Sequence, residues 1–248
     1  MDSDTDIGGP LNKFPVTNHS AIVGARSDDQ LTRRRAFDTI LASYWKPAYK
    51  YIRLKWHADN EDAKDLTQGF FANAFEKNHF AGYDARKASF QTFLRMCLDG
   101  FVSNERKAGR RLKRGGDMDH YQLDFVAAEA ELAAHASESS LSPEDYFHRE
   151  WVRWMFTTAV AALRERCEAS NRTVQFQLFE RYDLRDDADV SYASLAKEFG
   201  LEPATVTNYL AAARRDFRKI VLEKLREITA TDEEFRTEAR SLLGVDVK

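Results

Sequence analysis

Residues 191–218 read SYASLAKEFGLEPATVTNYLAAARRDFR and carry clear start and stop signals for helices. Ser191 is a suitable N-cap for a short helix over 192–199, and Gly200 stands where a helix favours a left-handed residue at its end. Pro203 then takes the first position of a second helix, which proline tolerates well. The stretch therefore predicts two helices joined by a tight turn.

The second helix is predicted to have two different faces. Its apolar positions recur at spacings of four, three and four: Val206, Leu210, Ala213 and Phe217. Its opposite face carries small, polar and basic residues: Pro203, Ala204, Thr207, Asn208, Ala211, Arg215 and Arg218. Small polar side chains can approach base edges in the major groove, and arginines can reach phosphates or guanine. DNA binding is the interpretation that the pattern favours, and an ordinary helical hairpin with a solvated face is the alternative.

A second informative block spans 62–114. It opens with an acidic helix, DAKDLTQGFF over 62–71, for which Asn60 is a plausible N-cap. Aromatic residues follow at Tyr83, Phe90 and Phe93, and the block ends in cations at Lys107, Arg110, Arg111 and Arg114. Aromatic rings can stack on bases, and cations can hold phosphates.

Each part of this block also has a simpler explanation. Phe90 and Phe93 are spaced like core residues as well as like DNA contacts. Asp62 and Asp65 favour the positive end of a helix whether or not a partner docks there. The basic residues at the end of the block could form a solvated helix end or a patch for RNA.

The hydrophobic periodicity is helical throughout, and no strand-like alternation appears. We expect an all-α protein of two helical domains joined by a flexible acidic linker, the C-terminal domain containing a helix-turn-helix. Pro47 lies within one helical stripe, so we expect a kink or two abutting helices there. The predicted divisions are a mobile arm (1–28), a first domain (29–116), a linker (117–143), a second domain (144–228) and a C-terminal extension (229–248).

The composition bounds the function. The chain has 248 residues, 31% of them charged, and a net charge of -3, which fits localised rather than general nucleic-acid binding. Six basic residues against one acid lie within 105–116, and six against two within 214–226. Cys97 and Cys167 suggest buried thiols, and the scattered histidines predict no metal site. No cofactor is expected, and the acidic N-terminus favours a cytoplasmic protein without a membrane segment.

These two blocks resemble the sigma factors of bacterial RNA polymerase, in particular the extracytoplasmic-function (ECF) group with only regions 2 and 4. The segment 62–68, DAKDLTQ, is similar to region 2.2, and the segment 89–94, SFQTFL, is similar to a later part of region 2. The segments 192–200 and 205–214 resemble region 4.2. The likeness covers roughly 36–114 and 144–227, with both blocks in the family's order.

The resemblance implies two partners, core RNA polymerase and promoter DNA. Asp62, Asp65, Gln68 and Gly69 would dock on core polymerase. The aromatic and basic residues of the 62–114 block would lie at the opened minus-10 element, and the helix from Pro203 would read the minus-35 element as a duplex.

Three residues depart from the family's pattern, either by weakening the negative charge expected at the docking surface or by changing an aromatic residue. Lys64 stands where the family usually has an acid, Gly69 replaces another frequent acid, and Phe93 replaces a tryptophan. Thr67 stands where an aliphatic residue is usual. One hypothesis is that a Ser/Thr kinase or another regulator supplies the missing charge by phosphorylating Thr67. The alternative is that its hydroxyl bonds the Ala63 carbonyl.

A sigma factor would have no active site of its own. Two other functions are alternatives to it. A free-standing helix-turn-helix regulator would bind duplex DNA without polymerase, and would have little use for stacking aromatics. A metal-dependent nuclease using Asp62 and Asp65 would need further ligands, and only Glu61 is near them in sequence. The sequence favours the sigma factor.

Overall fold

The structure is a computed structural model, and it describes residues 20–108, 123–134, 141–185 and 190–244. Every regular element in these ranges is helical, as predicted. The α-helices are α1 (Ala21–Gly24), α2 (Gln30–Lys55), α3 (Asn60–Glu76), α4 (Phe90–Ala108), α5 (Phe125–Ala134), α6 (Pro143–Ala169), α7 (Thr173–Phe179), α8 (Tyr192–Phe199), α9 (Pro203–Glu227) and α10 (Asp232–Leu243). A 3-10 turn at His79–Gly82 follows α3, and a π turn at Glu180–Leu184 follows α7.

Helix α2 lies at the centre and is capped by Asp29, whose carboxylate accepts a hydrogen bond from the Thr32 amide at 2.8 Å. Its predicted apolar stripe is buried: Phe37, Ile40, Leu41, Tyr44, Ala48 and Ile52. The helix continues through Pro47, so the predicted pair of abutting helices is wrong. Pro47 is itself buried, which indicates that packing on both sides outweighs the lost backbone hydrogen bond.

Part of the predicted mobile arm is packed against the rest of the chain. Residues 20–28 are folded: Ser20 caps α1, and the fully buried Ile22 packs that short helix against α2. Residues 1–19 of the predicted arm lie outside the described residues. This segment contains the apolar run 21–25, in which Ala21, Ile22 and Ala25 are buried.

Helix α3 begins one residue earlier than the sequence suggested. Asp59 is the cap, accepting from the Asp62 amide at 2.8 Å, whereas Asn60 is the first helical residue. The Asn60 side chain instead accepts a hydrogen bond from the Tyr49 hydroxyl at 2.8 Å. Both residue types cap helices well, so this tertiary contact decides between them.

The predicted acidic linker contains an ordered helix, α5. Its Glu129 pairs with Arg53 at 2.5 Å and accepts from the Tyr49 hydroxyl at 2.6 Å, both on α2. Glu131 pairs with Lys46 and Lys50, each at 2.9 Å. A flexible linker was predicted for this segment, and the docking of α5 on α2 was not.

Helix α6 joins the two halves of the chain. It starts at Pro143 as predicted and packs against both α2 and α9. One continuous hydrophobic core runs through these helices, so the predicted division into two domains is not visible in it. The α2–α6 contact also contains a buried ion pair: Lys50 Nζ lies 2.5 Å from Glu150 Oε2, and both side chains are almost wholly buried. Arg153 binds the same carboxylate from the next turn of α6.

Both cysteines are free thiols. Cys167 is buried in α6, and Cys97 is half-buried in α4. Burial raises the pKa of each thiol. A raised thiol pKa lowers the thiolate fraction at neutral pH, so these side chains behave as core residues.

Candidate nucleic-acid interface

The outer face of α9 is accessible at its N-terminal end. Pro203, Ala204, Thr207 and Asn208 are exposed, together with Arg215 two turns later. Ala211 and Arg218, from the same predicted face, are half-buried. The predicted inward residues Val206, Leu210 and Ala213 are fully buried, and Phe217 is half-buried against the core. The sequence therefore assigned the two faces of α9 correctly.

Helix α8 holds the start of α9 in place. The Ser191 and Ser194 side chains cap each other's backbone amides, at 3.1 and 2.8 Å. Gly200 adopts φ of 65°, and the Leu201 amide donates to the Ala196 carbonyl at 2.8 Å. Because Gly200 supplies a left-handed conformation without strain, the chain reverses there within a few residues.

The basic residues of α9 divide into structural and accessible ones. Arg214 pairs with Asp183 at 2.9 Å and donates to the Tyr192 hydroxyl at 3.1 Å, which braces α9 against α8 and the π turn. Arg215 and Arg218 have no ion pair within the described part of the chain. These two guanidinium groups are therefore the ones available to phosphates or bases.

The predicted docking residues form one strip along α3. Asp62 is exposed, and Asp65, Gln68 and Gly69 are half-buried on the same side of the helix. Lys64, the departure that weakened the expected acidity, pairs with Glu61 at 2.7 Å. Because that pair neutralises Lys64 locally, the carboxylates of the strip keep more of their negative character than the sequence suggested.

Thr67 lies on the buried side of the same helix. Its side chain is 0% exposed, and its hydroxyl donates to the Ala63 carbonyl at 2.7 Å. This contact was the alternative to phosphorylation, and it is present. A kinase would need α3 to move before it reached the hydroxyl, so the phosphorylation hypothesis now requires a rearrangement.

The aromatic residues expected at the minus-10 element lie in the core rather than on the surface. Tyr83 is 3% and Phe90 1% exposed, and their rings meet edge to face with centroids 5.2 Å apart. Phe93 is half-buried, with its ring centroid 5.3 Å from that of Tyr83. Phe80 and Tyr44 complete the cluster around Phe90. In this conformation only Phe93 offers part of a ring to solvent.

A carboxylate from the C-terminal extension closes this aromatic cluster. Glu234 of α10 accepts from the Tyr83 hydroxyl at 2.7 Å, from the Phe90 amide at 3.0 Å and from the Ala230 amide at 2.8 Å. Burial and this carboxylate together raise the pKa of Tyr83. Burial, with Glu234 nearby, also raises the pKa of Glu238. Sequence reasoning missed the contact because its partners are about 150 residues apart.

Of the four basic residues predicted at the end of the 62–114 block, only Lys107, in the last turn of α4, lies among the described residues, and it is exposed. Arg110, Arg111 and Arg114 lie outside them. The neighbouring Arg106 stacks over the Trp56 ring, 5.2 Å from its centroid, and donates to the Trp56 carbonyl. Arg106 is thus a structural cation, whereas Lys107 is accessible.

Comparisons with known protein families, with curated protein sequences and with solved structures found no match to this chain. None of the helices in the described ranges is long and apolar enough to cross a membrane. Within those ranges, no three or more His, Cys, Asp or Glu side chains come together so that they could hold a metal ion. The structural features that bear on function are the outer face of α9, the acidic strip on α3 and the aromatic cluster around Phe90.

Proposed function

We propose that this chain is a sigma factor of the ECF group, which binds core RNA polymerase and directs it to promoters. In this proposal α9 reads the minus-35 element in duplex DNA. The acidic strip on α3 docks on the polymerase, and the segment around Phe93 and Lys107 meets DNA opened at the minus-10 element. The protein contributes binding and strand opening, and the polymerase contributes the chemistry.

The exposed outer face of α9 carries the proposal. A helix enters the major groove when its first turns are accessible and its opposite side is anchored. Both conditions hold here, because Val206 and Leu210 are buried while Thr207 and Asn208 are exposed. Arg215 lies two turns further along the same face, at a distance suited to the phosphate backbone.

The strip on α3 supports the polymerase part of the proposal. Asp62, Asp65 and Gln68 present two carboxylates and an amide on one accessible side of a helix whose other side is buried. Such a surface complements a basic partner and would steer its encounter. A duplex-only regulator has no evident need for it.

A second function, the free-standing regulator, is favoured by one specific observation. Tyr83 and Phe90 are buried, so the stacking residues that distinguish a strand-opening protein are covered in this conformation. A protein that binds only duplex DNA would use the face of α9 and leave the aromatic cluster in its core.

Regulation through Thr67 belongs to the proposal only with a conformational change. A phosphate adds about -1.5 to -2 charges, which would restore acidity beside Asp65. The phosphate cannot fit where the hydroxyl now lies, since Thr67 is fully buried. Thr67→Val keeps the volume and removes the hydroxyl, so loss of activity in this variant without loss of stability would support modification by a kinase.

The proposal is tested by binding to purified bacterial core polymerase in size-exclusion chromatography, followed by transcription from a pool of promoter fragments. We expect a stable complex and new start sites. The double variant Asp62→Lys/Asp65→Lys should weaken the complex at least tenfold, because charge reversal opposes a basic surface. Glu76→Lys, an exposed change at the far end of α3, is the matched control and should leave binding unchanged.

Each result assigns one of the two functions. A polymerase complex that is lost with Asp62→Lys/Asp65→Lys and kept with Glu76→Lys supports the sigma factor. Retention of duplex DNA with no polymerase complex, both before and after phosphorylation, supports the free-standing regulator and rejects the sigma factor.

A further inference from the structure

Helix α10 is rigidly attached to the end of α9. Thr231 caps it, accepting from the Glu234 amide at 3.2 Å. Arg226 pairs with Asp232 at 2.5 Å and stacks over Phe235 with 4.0 Å between guanidinium carbon and ring centroid. Phe235 and Ala239 are buried. Movement of α10 is therefore coupled to the C-terminal end of α9.

Helix α10 also contacts the aromatic cluster through hydrogen bonds from Tyr83 and Phe90 to Glu234. Glu234 accepts from both the Tyr83 hydroxyl and the Phe90 amide, the first backbone donor of α4. A carboxylate at a helix N-terminus is stabilised by the hydrogen bonds and by the helix dipole. Hydrogen bonds to a charged group are among the stronger ones in proteins. One side chain thus holds the C-terminal extension against the segment proposed to meet opened DNA.

We propose that α10 is an autoinhibitory latch, which through Glu234 holds Tyr83 and the first turn of α4 in the buried aromatic cluster until the promoter or the polymerase displaces it. This inference rests on the proposed function, because it assigns the covered surface to the opened minus-10 strand. Duplex recognition by the N-terminal turns of α9 needs no release, since Thr207 and Asn208 are already exposed.

Release would change the aromatic cluster in a defined way. Without Glu234 the Phe90 amide loses its acceptor and becomes a donor available to a nucleic-acid strand, whereas the Tyr83 hydroxyl keeps the Ala88 carbonyl as an acceptor at 3.0 Å. In this proposal the cluster then loosens, and the rings of Tyr83 and Phe93, whose centroids now lie 5.3 Å apart, become accessible to bases. Ring stacking on bases is the interaction that holds unpaired strands in other single-strand binding proteins.

The test uses the full chain with Glu234→Ala, and Glu234→Gln as a graded variant that keeps an acceptor oxygen. Glu233→Ala, at the exposed preceding position of the same helix, is the matched control. Two quantities are measured: amide hydrogen exchange across α4 and α10, and the affinity of the polymerase complex for a pre-opened and a duplex promoter fragment.

We expect Glu234→Ala to raise exchange in the first turn of α4 and throughout α10 about tenfold, as loss of a charge-assisted hydrogen-bond set implies. Exchange in the first turns of α9 should not change. Affinity for the pre-opened fragment should rise about tenfold, Glu234→Gln should give a smaller gain, and the duplex affinity should stay within about twofold. Glu233→Ala should behave as the wild type.

The outcomes separate the latch from the function on which it depends. Faster exchange without any gain for the pre-opened fragment would show that Glu234 is only structural and would overturn the latch. Unchanged exchange would overturn it as well, because Glu234 would not be the tie. Failure of the wild type and of every variant to form a polymerase complex would instead reject the sigma factor, and the latch with it.

Discussion

The buried ion pair between α2 and α6 gives the sharpest test of how the halves of the chain are held together. Lys50 is 0% exposed, and its ammonium lies between Glu150 of α6 at 2.5 Å and Glu131 of α5 at 2.9 Å. The perturbation is Glu150→Ala. It leaves the ammonium buried with Glu131 alone, a partner whose side chain is 36% exposed.

The expected loss follows from that environment. Removing one partner of a buried pair costs about 3–5 kcal/mol, because the remaining charge stays buried without compensation. Glu131 still compensates part of the Lys50 charge, so we expect the lower end, about 3 kcal/mol. For a urea m-value of about 3 kcal/mol/M this lowers the unfolding midpoint by about 1 M.

The assay is urea unfolding, monitored by the circular dichroism signal of the helices, and it includes two comparison variants. Lys46→Ala removes the half-exposed ion pair to Glu131 and should lower stability by less than about 1 kcal/mol. Lys50→Met/Glu150→Leu removes both charges of the buried pair and should return stability to within about 1 kcal/mol of the wild type. A Glu150→Ala loss no larger than that of Lys46→Ala would refute the reasoning, since Lys50 would then not depend on Glu150.

Three further outcomes are expected. Gly200→Ala should lower the unfolding free energy by about 1 kcal/mol, because φ is 65° there and alanine is strained in this left-handed conformation. No further loss is expected, since no neighbouring atom obstructs the added methyl group. Leu210→Ala should lower it by about 2–5 kcal/mol and Thr207→Ala by less than about 0.5, both measured in urea. The hydrogen bond from Arg53 lowers the pKa of Glu129. The ion pair therefore stabilises the folded protein above the ordinary carboxyl pKa, and this stabilisation is lost as the pH falls through the lowered pKa. Acidification should therefore release α5 early, as seen by hydrogen exchange. Glu129→Gln should weaken this pH dependence, and the remainder should come from Glu131, whose pKa is lowered, against the effect of burial, by Lys46 and Lys50.

The features that could be predicted from the sequence have local causes. Ser191, Gly200 and Pro203 set the ends of α8 and α9 through their own side-chain or backbone chemistry. Pro143 likewise marks the start of α6. The buried face of α9 followed from spacing alone, because a helix places every third or fourth residue on one side.

The features that could not be predicted depend on contacts between distant segments. Periodicity indicated that Phe90 faces either the core or DNA, and the contacts of its ring with Tyr44 and Phe80 decide for the core in this conformation. Glu234 itself sits in an acidic stretch that looks like any solvated helix start. The continuity of α2 through Pro47 depends in the same way on packing that local sequence does not encode.

The two surfaces proposed to meet DNA differ in what they require from the rest of the chain, and this difference separates the proposed functions. The face of α9 is accessible in the conformation described, so either function is compatible with duplex binding. The aromatic cluster is buried in this conformation, and the proposed latch requires α10 to release Tyr83 and Phe90 before the cluster becomes accessible. A sigma factor therefore requires the affinity ratio of opened to duplex promoter to rise when polymerase binds. A free-standing regulator requires a low ratio that Glu234→Ala leaves unchanged. The ratio measured with and without polymerase consequently assigns the function more directly than the duplex affinity.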